Sequence, residues 1–320
     1  MSLDPKKLRY FLTVIDRGSY TRAARELGVS QSTLSEHIAS LEVQLGRALL
    51  TRGLRGVSVT EAGRTLYRHA QIIVRQVEQA EQDITLVSNV VSGHVSLGLA
   101  TYGAASTLAL PILRRVTERC PDLLLRVNDN FAGILSESII NGRIDIAIIY
   151  GVGPIKGVRL RTLFVEELFL FAHEAATIPG SPGSDVPLAG LAGMKLLLPS
   201  RVHLLRQVID SGFARAGIHP DIVAEVDSPA ALRDALRGNL GVALLPDSAF
   251  PRDAGRVGLQ VRPIRQPRLE ATVALCMSEQ WPITNSVRAI EDVICQLVSE
   301  ALSEGWWTGV RPLAGALSPG

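Results

Sequence analysis

The stretch Gly18-Ser19-Tyr20-Thr21-Arg22-Ala23-Ala24-Arg25-Glu26-Leu27-Gly28-Val29-Ser30-Gln31-Ser32-Thr33-Leu34-Ser35-Glu36-His37 contains two helix starts separated by one helix stop. Ser19 and Ser30 have short hydroxyls that accept a hydrogen bond from the first-turn N–H groups of a new helix. Gly28 between them suits the left-handed conformation that ends one. Ala23, Ala24 and Leu27 make the apolar side of the first helix, and Leu34, Ile38, Leu41 and Leu45 recur at helical spacing in the second before Gly46. Two short helices across a tight glycine turn form a helix-turn-helix, whose second helix presents its N-terminal residues to base edges in the DNA major groove. Those residues are Gln31, Ser32, Thr33, Ser35, Glu36 and His37. Glutamine can contact adenine through two hydrogen bonds, and the hydroxyls reach bases or phosphates. Arg22, in the first turn of the preceding helix, joins Gln31, Ser32, Thr33, Ser35 and His37 as a DNA-binding candidate.

On the N-terminal side, Leu8, Phe11, Leu12 and Ile15 make one apolar stripe of a helix over 5–16, with Pro5 tolerated in its first turn. On the C-terminal side, 48–59 is β-rich around Arg52-Gly53-Leu54-Arg55-Gly56. It reads as a hairpin wing with Arg52 and Arg55 on phosphate or in the minor groove. Residues 1–60 thus read as an all-α winged helix-turn-helix domain. The whole chain, 320 residues with 33 basic and 31 acidic side chains, has a net charge of +2 and gives no reason to expect nucleic acid. Its distribution does. Residues 1–60 carry nine Lys/Arg against five Asp/Glu, a net +4, leaving the rest at −2.

Thr60 and Glu61 open a long helix assigned to 61–91. Leu66, Ala70, Ile73, Val77, Ala80, Ile84 and Val87 follow alternating four- and three-residue steps, the seam of a coiled coil. The pattern fits either a dimerisation helix or a helix packed on its own domain.

From 92 to 302 strands alternate with helices, the mark of α/β layers. Expected strands are 95–100, 123–128, 144–150, 165–172, 195–198, 221–226, 241–245 and 269–277. Expected helices are 104–119, 132–141, 201–216, 229–237 and 283–302. They group into two lobes: lobe I from 92–163 and 265–302, lobe II from 164–264. Ligands of such sheets bind at the carboxyl ends of strands, beside helix N-termini. This nominates Thr101, Tyr102, Gly103 and Asn130 in one lobe, and Ser200, His203, Asp227 and Pro246 in the other. Two helix N-termini facing across a cleft would suit a small anion. Ser200 and Asp227 would equally well cap their own helices, and His203 would equally well be a structural polar residue. Residues 303–320, rich in Gly and Pro, read as a flexible tail in which Trp306 and Trp307 lack an assigned role, with packing on the body or on a partner both open to them.

These residues also carry a family resemblance. Leu8-Arg9-Tyr10-Phe11, Gly18 to Ala24, Val29 to Ser35, Leu41-Glu42, Leu45-Gly46, Leu50, Arg55-Gly56 and Val59-Thr60-Glu61-Ala62-Gly63 resemble the N-terminal domain of LysR-type transcriptional regulators. Ser32-Thr33 departs from the proline that many members have early in the recognition helix. The body resembles the family's effector domain, with its periplasmic-binding-protein-like fold. Gly98-Leu99-Ala100 with Ala104-Ala105-Ser106, Arg143-Ile144-Asp145-Ile146-Ala147, and Pro199-Ser200 with His203 and Arg206 are most similar to the nitrogen-assimilation-control branch. The resemblance implies a cytoplasmic regulator, dimeric or tetrameric through the 61–91 helix, binding double-stranded DNA. It further implies a small-molecule effector in the interlobe cleft and RNA polymerase as a partner. The alternatives are an effector-independent regulator of the same family and, behind it, a two-lobed enzyme carrying a DNA-binding head.

Other classes are disfavoured. Cys120, Cys276 and Cys295 are widely spaced and odd in number, supporting neither a zinc site nor a disulfide framework. No acid, base and nucleophile converge by spacing, so neither enzyme nor cofactor is expected. Gly151, Gly153 and Gly157 imitate a dinucleotide fingerprint, but the spacing is wrong and Pro154 interrupts it. The uncharged run Ile84–Leu113 holds His94, three glycines and Pro111, unlike a membrane span, and the apolar run after Lys6, Lys7 and Arg9 is too short for a signal peptide.

Overall fold

The computed structural model describes residues 3–53, 56–85, 91–151, 153–181, 183–252 and 255–313. Two compact units divide the chain, 1–90 and 91–320.

In the first unit the sequence's punctuation is followed closely. Helix α1 (Pro5–Arg17) is capped by Asp4, α2 (Tyr20–Leu27) by Ser19 and α3 (Gln31–Leu45) by Ser30, whose hydroxyl accepts from Thr33 N at 3.1 Å. Gly28 adopts φ +66° to make the tight turn between α2 and α3. Strands β1 (Leu50–Gly53) and β2 (Gly56–Val59) pair antiparallel as the wing, with Arg52 opposite Val57. Glu42 fixes the entry to β1 by accepting from Leu49 N and Leu50 N at 2.7 and 3.1 Å. Leu54 and Arg55, at the tip, lie outside the described residues.

Helix α4 (Glu61–Thr85) opens with Gly63 N donating to Thr60 Oγ1 at 3.0 Å. Its apolar seam corrects part of the pairing expectation. Leu66, Tyr67, Ala70 and Val74 are buried in one core with Leu8, Phe11, Leu34, Ile38 and Leu41, and Ile73 packs on its edge. Tyr67 also donates to Asp16 at 2.5 Å. The first two heptads therefore pack against α1 of the same chain, because three helices without α4 would leave that stripe wet. Leu66 and Ala70 are not available to a partner. Ile73 and Val77 are half-buried, Ala80 is exposed, Ile84 stands on the last turn and Val87 lies outside the described residues.

The second unit is built on a nine-stranded sheet among the described residues. Its elements in order are β3 (Gly93–Ala100), α5 (Ala104–Thr107), α6 (Ala109–Arg119), β4 (Leu123–Asn130), α7 (Ala132–Ile140) and β5 (Ile146–Gly151). Then come β6 (Val158–His173), β7 (Val186–Pro187), β8 (Lys195–Leu198), α8 (Leu204–Ala216), β9 (Asp221–Glu225), α9 (Pro229–Arg237) and β10 (Ala243–Pro246). The chain closes with β11 (Leu259–Arg265), β12 (Glu270–Ser278), α10 (Asn285–Glu304) and β13 (Val310–Arg311).

In lobe I, β3 runs parallel to β4 and β5, and β12 pairs antiparallel with β5 and the first part of β6. Helices α6 and α10 cover one face through Ile112, Val116, Ile290 and Ile294, and α7 covers the other through Leu135 and Ile139. In lobe II the last part of β6 pairs with β10 and β11, and β8 pairs in parallel with β9.

Several boundaries differ from expectation for physical reasons. The expected strand 165–172 is the second half of the continuous β6. Arg159 and Arg161 had disguised its first half, since in lobe I they project from a sheet face where alternate residues are charged. The expected helix 104–119 is broken after Thr107, shortly before Pro111. Strands β7 and β11 had no expectation. The tail is corrected most. Residues 305–311 are ordered against the body, Val310 and Arg311 pairing with Glu166 and Val165, while 314–320 lie outside the described residues.

One substitution tests the packing of α4. A Cβ at Gly63 would collide with the Leu49 carbonyl oxygen and sit 2.8 Å from Val59 Cγ1. Gly63→Ala should destabilise the first unit by about 2 kcal/mol, since backbone cannot yield as a side chain does. Amide exchange in α1 and α4 should accelerate about 30-fold while β3 to β12 stay unchanged.

Candidate nucleic-acid interface and interlobe cleft

Capping geometry positions the recognition surface. Ser30 sits in extended backbone immediately before α3, so Gln31 is the helix's first residue and projects at its start. Gln31, Ser32 and Glu36 are exposed, as is Arg22 on α2, whereas Thr33, Ser35 and His37 are half-buried. Thr21 donates to Gln31 Oε1 at 3.1 Å, which orients the amide. The Ser32 and Thr33 hydroxyls each lie 2.8 Å from the Ser30 hydroxyl, within the cap itself. His37 packs edge-on against Tyr10, ring centroids 5.1 Å apart, and so braces α3 on α1. The structure thus leaves Arg22, Gln31 and Ser32 accessible and gives Thr33 and His37 structural contacts. Arg52 is placed on β1 by its pairing, and Arg55 lies outside the described residues.

In the second unit the strand ends named from sequence converge where the lobes meet. Thr101, Tyr102, Gly103, His203 and Pro246 are all buried there, with Asn130, Ser200 and Asp227 half-buried. Tyr102, at φ +67°, donates from its hydroxyl to Val226 O across the lobes at 3.1 Å. A buried tyrosine in the left-handed region costs about 1–3 kcal/mol and persists only where its surroundings hold it. The His203 ring stands edge-on to Phe131, 4.1 Å between centroids, and 5.7 Å from Tyr102. Asn130 accepts from the following amide, Phe131 N, at 2.9 Å.

Two of the backbone amides at these strand ends already have partners within the protein. Asp227 accepts from Ser200 N at 2.8 Å and from the Ser200 hydroxyl at 2.9 Å. Helix α8 begins only at Leu204 with His203 in the cap position, so Ser200 caps nothing; Ser228, not Asp227, caps α9. On the other side Ala104 N donates to Glu166 at 3.2 Å, and so does the Ser248 hydroxyl. Tyr150 also donates to Glu166 and lies 3.0 Å from Tyr102 O. A Cβ on Gly103 would collide with this Tyr150–Glu166 pair, so the position requires glycine. Glu166, which sequence reasoning missed, is the centre of the crossing. Its signal was a pair of acids, Glu166-Glu167, inside an otherwise apolar stretch of strand.

Electrostatics follow from burial. Desolvation pushes the Glu166 carboxyl up to about 7, against the lowering effect of its three donors. Burial raises the Tyr102 and Tyr150 hydroxyls and lowers His203, an effect that nearby Asp227 partly offsets. Nε2 of His203 lies 3.2 Å from Asp227 but without hydrogen-bonding geometry. Hydrogen bonds from Ser200 hold Asp227 low despite some burial. Asp129 is raised by burial, with Thr101 hydrogen-bonded to it. Arg206 is fully buried and faces away, bound to Asp210, Glu225 and Pro199 O. Ser200, Asp227 and His203 superficially resemble a hydrolytic triad, but the carboxylate stands between serine and histidine, so the histidine does not contact the hydroxyl as a triad base would. Among the described residues no cluster of three or more His, Cys, Asp or Glu could hold a metal.

Comparison with known proteins places both units. Residues 5–64 match the model described as bacterial regulatory helix-turn-helix protein, lysR family, and 88–297 match the LysR substrate binding domain. The chain belongs to the LysR family. Members of this family are transcriptional regulators, not enzymes. The nitrogen assimilation regulatory protein nac of Escherichia coli K12 is 33% identical over 93% of this chain and 96% of its own length. A full-length OxyR variant from Pseudomonas aeruginosa superposes with a TM-score of 0.71 at 24% identity, covering 92% of this chain and 98% of that one. A full-length CbnR complexed with its target DNA gives a TM-score of 0.64 at 21% identity, covering 93% of this LysR chain and all of that one. No described helix is long and apolar enough to cross a membrane.

The Glu166 proton gives a pH test. In the unfolded chain this carboxyl has its ordinary value of 4.5 and in the fold about 7, so the folded state binds the proton more tightly. Its stabilising contribution is complete below about 4.5 and is lost as pH rises through about 7. Burial of neutral His203 gives the opposite slope below 6.5. Glu166→Gln keeps a neutral polar group there. It should remove a loss on the order of 3 kcal/mol between about pH 5 and about pH 8, read by urea unfolding followed through tryptophan fluorescence.

Proposed function

We propose that this LysR-family regulator binds a dyad-related DNA site as a homo-oligomer in the cytoplasm, with α3 reading bases and the wing holding phosphates. The supporting observation is the Ser30-capped start of α3, which leaves Gln31 and Ser32 accessible at the first turn of the helix in a domain whose charge is net positive. Arg52 and Arg55 belong to the phosphate contacts, and Ser35 lies one turn further along the reading helix. The pairing surface continues the α4 seam beyond the head's own core, from Ile73 at its edge through Val77 and Ala80 to the sequence positions Ile84 and Val87. Dimer against tetramer, and contact with RNA polymerase, follow from that assembly.

Gln31→Ala should cost about 1–3 kcal/mol on a site selected from random DNA and relax the base preference at one position. Arg22→Ala should weaken all sequences alike and lower the salt dependence by about one unit of slope. Fluorescence anisotropy across a salt series distinguishes the two. Equal losses on specific and random DNA for Gln31→Ala would remove α3 from base readout.

For the cleft, we propose a small effector that donates hydrogen bonds, a reading supported by the half-buried Asp227 and by Asp129 beside Thr101 at the strand ends. The contacts of Tyr102 with Val226 and of His203 with Phe131 favour a second reading, a regulator whose lobes hold each other without any effector. Thermal-shift screening of the full chain separates them. A bound amine at a hundred times its Kd should add about 2.7 kcal/mol. Absence of a shift with amines and carboxylates alike favours the second reading.

A further inference from the structure

We propose that residues 305–311 form a strap that ties the two lobes of the second unit together, so that the lobes change their angle only when the strap is released. The strap leaves lobe I at Gly305, the left-handed cap of α10. Trp307 then donates to the Thr107 hydroxyl on α5 at 2.9 Å and stacks at 5.2 Å on Phe164 of β6. Next, Thr308 takes a hydrogen bond from Arg252 of lobe II, an arginine that also pairs with buried Asp247 at 3.2 Å. Gly309 presses on the Phe169 ring of lobe II so closely that a Cβ would sit 2.6 Å from it, and its carbonyl accepts from Glu167 N at 2.8 Å. Val310 and Arg311 add a short strand against Glu166 and Val165, and Arg311 pairs with Glu270 of β12 at 2.9 Å.

These contacts bracket one of the two places where the chain passes between the lobes, the other being the return from β11 to β12. β6 passes from one lobe to the other near Glu166, where Ala104 of lobe I and Ser248 of lobe II both donate. Bending β6 there would break the pairing of β13, pull Trp307 from Thr107 or pull Thr308 from Arg252. A tail that merely covered a sheet edge would need the strand pairing alone. This one has separate side-chain anchors on each lobe, and two of its residues are tryptophans in a chain with three.

The experiment compares hydrogen exchange in the full chain, a chain ending at Glu304, and a chain ending at Leu313. Removal of the strap should accelerate exchange about ten-fold at 162–168, and also at 102–108 and 246–252, which it does not cover by backbone pairing. The head and α7 should be unchanged, and the chain ending at Leu313 should match the full chain. Arg311→Glu should reproduce part of the acceleration and Glu270→Arg in the same chain should reverse it. Acceleration confined to 162–168 would overturn the strap and leave a passive edge cover. Uniform acceleration throughout 91–304 would also overturn it, by making the tail part of the core, as would failure of the charge reversal to rescue.

Discussion

Glu166 is a carboxyl group buried where a single strand passes between two lobes, and the second unit is organised around satisfying it. Desolvating a carboxylate costs more than its hydrogen bonds return, so the group keeps a proton to about pH 7 and draws donors from both sides. Tyr150 and Ala104 come from lobe I and Ser248 from lobe II. The glycine at 103, the left-handed Tyr102 and the docking of β13 on the same strand all follow from that arrangement. Lobe geometry and the chemistry of the cleft are therefore one problem: whatever alters the angle between lobes must disturb this buried group.

The first unit rests on simpler physics and was correspondingly legible. Ser19, Ser30 and Thr60 announce helix starts because their hydroxyls satisfy first-turn amides, and the structure uses each of them in that role. What local pattern could not resolve was the partner of an apolar stripe. Leu66 and Ala70 have the spacing of an intermolecular seam, yet α1 lies close enough to cover them. Periodicity states that a face will be buried and says nothing about which chain buries it.

In the body, element type was legible from alternation and the strand ends that meet at the crossing were named from it. Two things were hidden. A strand that opens on Arg159 and Arg161 does not announce itself, so the continuous β6 was read as beginning near its midpoint. Strand-end reasoning also locates amides without showing what they already bind. Ser200 was nominated as a ligand contact, but its amide and its hydroxyl already donate to Asp227, distant in sequence by 27 residues. The tail was misread because glycine and proline were weighed above its tryptophans. The packing of Trp307 against Phe164 and Thr107 outweighs the entropy of ordering a short segment.

The claim on which the rest depends is that the capped start of α3 reads DNA sequence in the cell. Genome-wide mapping of bound sites in the native host tests it most directly, comparing the natural protein with a Gln31→Ala, Ser32→Ala variant that folds normally. The account predicts discrete sites near promoters that share a dyad-symmetric motif, and their loss in the variant while general DNA association persists. Occupancy spread without a shared motif, or an unchanged set of sites in the variant, would contradict it.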